Sequence, residues 1–328
     1  MIDILGVLAS MLSLIVVTAL GYIAARFGYL TAAVRPRLSG LIFNITLPCT
    51  ILASVGAVDS STGGDQIMWS IVLGTALFFV MLGASAVACW AARTSAGERN
   101  LYLFMGVLTN TGFIGFAVLE AIFGGGAVFL GSIFIALSNV FLYSIGIAVL
   151  TAPVLGARQD EAARSGASRS ELMKTMLGNM LNAPLVVSLI AMVIFFSGIQ
   201  LPAPIMQAAD MAGGITSPLA MMLVGLSIAD VDLRHVLASG RMWMYAAVRF
   251  FLVPLAVYLL LAPVVPNGLA LGVFTVMLAM PTGSMAGPIA ATYGQDDAPP
   301  ARGTIVSTIA SFAIVPALCV VMAATAAL

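Results

Sequence analysis

The sequence predicts an all-α integral membrane protein with ten transmembrane helices, and three observations carry that prediction. Of its 328 residues, 61% are hydrophobic and 8% charged, with a mean hydropathy of +1.12; a soluble domain of this composition would expose large apolar patches. Apolar runs of about 20 residues recur along the chain, enough to cross a ~30 Å hydrocarbon core at ~1.5 Å per residue, which selects helices over barrel strands. Two strings about half the chain apart, Asn110-Thr111-Gly112 and Pro281-Thr282-Gly283, interrupt two of these runs near their centres.

Taken in order, the first span covers 5–26. It is not read as a cleavable leader, because Asp3 rather than a basic residue precedes it and no clear small-residue cleavage site follows. Span 2 (38–57) carries Pro48 near its centre, where a missing N–H predicts a kink that can shape a cavity wall. Span 3 (67–91) is unbroken. Span 4 (101–123) contains the first interruption and, one turn from its far end, Glu120. Glu120 is either a coupling-ion group or a solvated interfacial side chain. Span 5 (127–151) carries Asn139 and, one turn on, Tyr143 and Ser144, read as cavity-lining groups or as polar links between helices.

A hydrophilic stretch, Gly156 to Glu171, divides the chain and reads as a linker. Beyond it come span 6 (175–198) and span 7 (206–228), the latter with Asp210 near its start and Pro218 near its centre. Span 8 (242–263) holds Arg249, the one basic residue well inside a span and therefore a functional candidate. Its alternatives are attraction of a substrate carboxylate and satisfaction of half-helix carbonyls. Span 9 (268–293) contains the second interruption, and span 10 (303–326) closes the series. Cys49, Cys89 and Cys319 have no metal-ligand or redox spacing and read as packing residues.

Charge fixes the expected topology. Net charge is zero, yet every Lys and Arg except Arg249 falls in the loops after spans 1, 3, 5, 7 and 9. Those loops are then cytoplasmic and both termini lie outside, in a multi-pass protein of the inner cell membrane. The halves are weakly self-similar: Ile45-Thr46-Leu47-Pro48 returns as Ile215-Thr216-Ser217-Pro218, Thr111-Gly112 as Thr282-Gly283, and Met68-Trp69 as Met242-Trp243, at a nearly constant offset. Five helices per half is an odd number, so the second half enters the membrane inverted. The expected division is a first repeat at 1–155, a cytoplasmic linker at 156–173 and an inverted repeat at 174–328.

These residues resemble the auxin efflux carrier family, which includes the PIN-type and malonate-type carriers. The resemblance rests on Asn110 to Gly115 (NTGFIG) with Gly124, on Pro281 to Gly294 (PTGSMAGPIAATYG), on Pro48 and the Pro218 to Gly225 stretch, and on the Asn139, Tyr143, Ser144 series. It implies two five-helix inverted repeats, helices 4 and 9 crossing at the centre, an organic anion as substrate, and a transport unit of helices 3–5 and 8–10 moving against a scaffold of 1, 2, 6 and 7. A homodimer through the scaffold is implied in the same way. Ala117 departs from the pattern, standing where a proline is frequent; Pro288 occupies the pseudo-symmetric position. The first break is then held by Gly112 and Gly115.

The expected site follows from helix electrostatics. Each interruption strands backbone groups in hydrocarbon, tolerated only against protein or a water-filled cavity. Crossed in opposite directions, two half-helix N-termini approach one point and form an anion site that needs no Lys or Arg. Asn110 can donate its amide to the anion; Thr111, Thr282 and Ser284 can bond substrate or recap the backbone. The substrate-binding set is Asn110, Thr111, Gly112, Pro281, Thr282, Gly283, Ser284, Asn139 and Tyr143, with Gly115, Pro288, Arg249, Pro48 and Pro218 supporting the crossover.

Absences narrow the function. No paired carboxylates on span 5 suggest a sodium/proton antiporter, no Walker A string supplies ATP, and no HExxH, GxSxG or Cys/His cluster suggests an enzyme, a cofactor or a metal; His235 lies in a loop. No nucleic-acid partner is implied. The expectation is a secondary carrier of a small carboxylate, malonate-like or auxin-like, with proton or sodium coupling or uniport all compatible. The alternative is a membrane ligand or lipid sensor that uses the same pocket without transport.

Overall fold

Hydrocarbon offers backbone N–H and C=O groups no water to bond, so a chain this apolar must satisfy them internally. The computed structural model accordingly is helical over most of the residues it describes, which are 4–57, 63–151, 183–231, 236–292 and 295–326. The linker 156–173, its basic residues and His235 lie outside them. Helices α1 (Ile4–Arg26), α4 (Gly63–Ala91) and α16 (Ala298–Ala326) are continuous. The remaining spans are segmented: α2 (Arg35–Leu41) with α3 (Leu47–Ser54), α5 (Arg99–Val107) with α6 (Phe116–Phe123), α7 (Gly125–Phe141) with α8 (Ile147–Thr151). After α9 (Ala183–Ser197) come α10 (Ala203–Gly213) with α11 (Thr216–Ala229), α12 (Gly240–Ala247) with α13 (Val253–Leu261), and α14 (Gly268–Leu278) with α15 (Ala286–Thr292). Among the described residues, six stretches are long and apolar enough to cross a membrane, and four shorter apolar helices accompany them, Thr111–Phe123, Gly125–Phe141, Ala183–Ser197 and Gly268–Leu278.

Spans 3 and 10 begin earlier than the sequence suggests, at Gly63 and Ala298. The second difference has a local cause. A start at 303 puts Pro299 and Pro300 outside the helix, yet proline suits a first helical turn, where its N–H has no partner to lose, and Asp296 caps this turn by accepting from the Ala298 N–H at 3.0 Å.

Four π turns segment the spans: Ile42–Thr46, Thr111–Gly115, Leu142–Gly146 and Val248–Leu252. Two of them end shortly before a proline, Pro48 and Pro254. The wider turn relieves the clash between the pyrrolidine ring and the preceding turn. Span 7 is not one helix with a kink but two, separated at Gly214 and Ile215, and Pro218 sits in the first turn of the second. Thr50 lies against that break: its Oγ1 is 3.1 Å from Gly213 O, 3.0 Å from Thr46 O and 2.8 Å from Thr216 Oγ1, which compete for its one proton. Thr50, two residues past the first Ile-Thr-x-Pro string, thus touches Thr216 of the second.

Small residues set the tightest packing, as is general where lipid competes for apolar contact. A Cβ on Gly225 of α11 would lie 2.1 Å from Thr18 O of α1, and one on Gly21 would lie 2.3 Å from Met222 O. These two helices therefore approach backbone to backbone. Phe104, Phe134, Phe274, Met277 and Met280 are buried at the centre of the molecule, whereas Trp90, Phe27 and Leu5 point outward.

Candidate functional site

The first interruption falls at Leu108 to Asn110, where ψ turns to 82° at Leu108 and 50° at Asn110 and the helical ladder stops. The second follows α14, and regular helix resumes only at Ala286. The two unwound strands lie side by side. Asn110 N–H donates to Pro281 O at 2.7 Å, Gly283 N–H donates to Leu108 O at 2.8 Å, and Thr109 pairs antiparallel with Thr282. Gly283 permits this approach, because a Cβ there would meet Leu108 O at 3.3 Å.

Part of the backbone polarity released by the breaks is therefore spent on the crossing itself. More is taken up by α16: Ser307 Oγ accepts from Thr282 N–H at 3.0 Å, and Thr304 Oγ1 donates to Gly283 O at 3.1 Å. Arg249 serves the two half-helix C-termini. Its Nε and Nη2 donate to Gly106 O at 3.0 and 2.6 Å, its Nη1 to Leu278 O at 2.9 Å, and its Nε also reaches Ser85 Oγ at 3.2 Å. The guanidinium is fully buried, lies 5.0 Å from the Phe250 ring centroid, and pairs with no carboxylate among the described residues. Of its two alternatives, these contacts match carbonyl capping. A cation placed against two helix C-termini is also the favourable sense of the helix dipole.

Beside the crossing lies a cavity of about 40 Å³, lined at the breaks by Asn110, Phe113 and Ser284, on one side by Thr304 and Thr308 of α16, and by Arg35. Asn110 is only 7% exposed, and its side chain neither caps the following turn nor bonds any described residue. Buried amides normally have partners; this one has none among the described residues and lines the cavity. The amides that open the Thr111–Phe123 segment lack intrahelical acceptors and add the positive end of its dipole.

The other predicted site residues are distributed around this centre. Ser284 joins Asn110 in the cavity lining. Pro281, Thr282 and Gly283 are buried within the crossing, and Thr282 Oγ1 is without a partner. Thr111 and Gly112 are half-buried at the start of the π turn, and Gly115 packs against Met277 and Met280. Asn139 is half-buried at the end of α7; the Tyr143 and Pro288 side chains lie outside the described residues. Pro48 is buried, whereas Pro218, Glu120 and Asp210 are exposed. Arg35, Thr304, Ser307 and Thr308 were not singled out from the sequence. The hydroxyls carried a signal, since Thr304, Thr308 and Ser311 recur at helical spacing on an otherwise apolar span.

A family model described as "Membrane transport protein" matches residues 6–319, nearly the whole chain. The chain belongs to this membrane transport protein family, that of the auxin efflux carriers. It is also similar to a transporter of Methanocaldococcus jannaschii described as uncharacterized, at 25% identity over 84% of this chain and 85% of that one. Membership in the membrane transport protein family makes this a multi-pass membrane transporter, and its crossing breaks lie inside the matched region.

Proposed function

We propose that the protein is a secondary transporter of a small organic anion, a malonate-like or auxin-like carboxylate, working by alternating access. The observation that carries the reading is the nearly buried, unpartnered amide of Asn110, placed with Ser284 in a largely apolar cavity where two interrupted helices cross. A neutral donor set fits a carboxylate that must also leave, because a permanent unpaired cation there would bind more firmly and be costly when the site is empty. Family membership supports transport; the substrate class rests on the resemblance and on this chemistry.

The architecture proposed is ten helices in two inverted repeats divided at 156–173, with the basic loops cytoplasmic and both termini outside. The pairing of 108–110 with 281–283, next to the repeated Thr-Gly strings, and the contact of Thr50 with Thr216 support it, since related elements of inverted repeats converge on a common axis. Helices α4–α8 and α12–α16 form the transport unit, and α1–α3 with α9–α11 the scaffold, through which a homodimer is proposed. In proteoliposomes, wild-type protein is expected to show saturable uptake and counterflow of a carboxylate. Asn110→Ala, folded as judged by its melting curve, should lose substrate affinity about tenfold, the scale of one hydrogen bond to a charged group. Unchanged affinity in that variant removes the assigned site, and binding without counterflow favours a sensor.

A further inference from the structure

The cavity beside the crossing has one charged residue in its lining, Arg35 at the start of α2. Arg35 belongs to the end remote from the breaks, since its Nη2 donates to Asp230 Oδ2 just past the last turn of α11. Between them, the α11 wall runs from Ala220 to Ile228, about 12 Å of helix at ~1.5 Å per residue. The cavity is small, since 40 Å³ holds roughly three water molecules.

Two features of the Arg35–Asp230 pair distinguish it from a staple between helices. A guanidinium offers a fork of five donors matched to a carboxylate, yet Arg35 Nε is buried with no hydrogen-bond partner. A pair serving only to join α2 to α11 would close that prong. Asp230 moreover is the C-cap residue of α11, where the helix dipole disfavours an anion. Arg35 offsets that repulsion, and at 34% exposure Asp230 can turn to water when released.

We infer that Arg35 is the carboxylate-docking residue at the mouth of the cavity: an entering carboxylate takes the unused Nε edge and displaces Asp230, so that the ion pair is a latch opened by the substrate's own charge. The inference rests on the carboxylate reading above. Exchange of one carboxylate for another leaves the guanidinium paired throughout. It also makes entry selective, because an uncharged analogue cannot replace Asp230.

The test uses purified full-length protein with malonate and indole-3-acetate as probes and malonamide as the uncharged control. Arg35→Gln should weaken binding of the acid about tenfold or more, whereas Asp230→Asn, which frees the docking residue, should strengthen it several-fold; neither should change malonamide. A staple predicts that both variants move together and that the swap Arg35→Asp with Asp230→Arg restores binding. That outcome, or indifference to both substitutions, overturns the latch. Should Arg35→Gln fail to fold, Asp230→Asn alone decides by the direction of its effect. Wild-type protein that binds neither acid removes the carboxylate reading itself, whereas binding that depends on Asn110 but not on Arg35 or Asp230 removes only the latch.

Discussion

Arg249 reaches three acceptors on three different helices, and one planar group holds all of them. Replacement by Lys keeps the charge but cannot span Gly106 O and Leu278 O together. Leaving both carbonyls unsatisfied costs about 2–6 kcal/mol at ~1–3 kcal/mol each, so Arg249→Lys and Arg249→Met should both melt well below wild type in detergent, with little difference between them. Equal stability of Arg249→Lys and wild type would mean that charge alone suffices. Gly106 is required at the same spot, because a Cβ would stand 2.0 Å from Ser85 Oγ and 2.3 Å from Tyr245 Oη. The Tyr245 hydroxyl is committed to Tyr102 O at 2.7 Å and cannot yield freely. Gly106→Ala should therefore destabilise the protein by about 1–3 kcal/mol, the range for overpacking a filled core, read as a lowered melting temperature.

Among elements, irregular turns decide where the polar groups lie. Asn110 and Pro281 were legible as helix breaks because Asn, Gly and Pro in mid-span are poor helix formers. The π turns were not, since an added residue in a helical turn leaves no compositional mark. The break between α10 and α11 escaped notice for a related reason: Gly213-Gly214 reads as ordinary small-residue packing until its neighbour is known. That neighbour is Thr50, whose hydroxyl lies within hydrogen-bond distance of Gly213 O and of Thr216 Oγ1 as well as of Thr46 O. Thr50→Val preserves shape and removes the donor, so it should lower stability by about 1–2 kcal/mol, while Thr50→Ser should stay near wild type. A melting curve separates them.

At the scale of the whole molecule, the cavity extends from the crossing to the Arg35 end of α11, on the side that the charge distribution assigns to the cytoplasm. With Cys49, Cys89 and Cys319 replaced, Ser227→Cys should react with a membrane-impermeant maleimide from the face on which a protease cuts the 156–173 linker, and substrate should slow the reaction. Labelling from the opposite face would reverse the proposed orientation. Composition and span length by themselves determined that the chain is helical and membrane-embedded, because the bilayer permits few other ways to satisfy a backbone. The local strings determined where spans 4 and 9 break, for the same reason of unmet hydrogen bonds. Only the tertiary structure decided what each break does with its freed groups: Thr282 is buried in the crossing while Asn110 faces a cavity. Sequence lists donors and acceptors, but which of them find partners depends on the helices brought alongside, here α16 and the side chain of Arg249, from far along the chain.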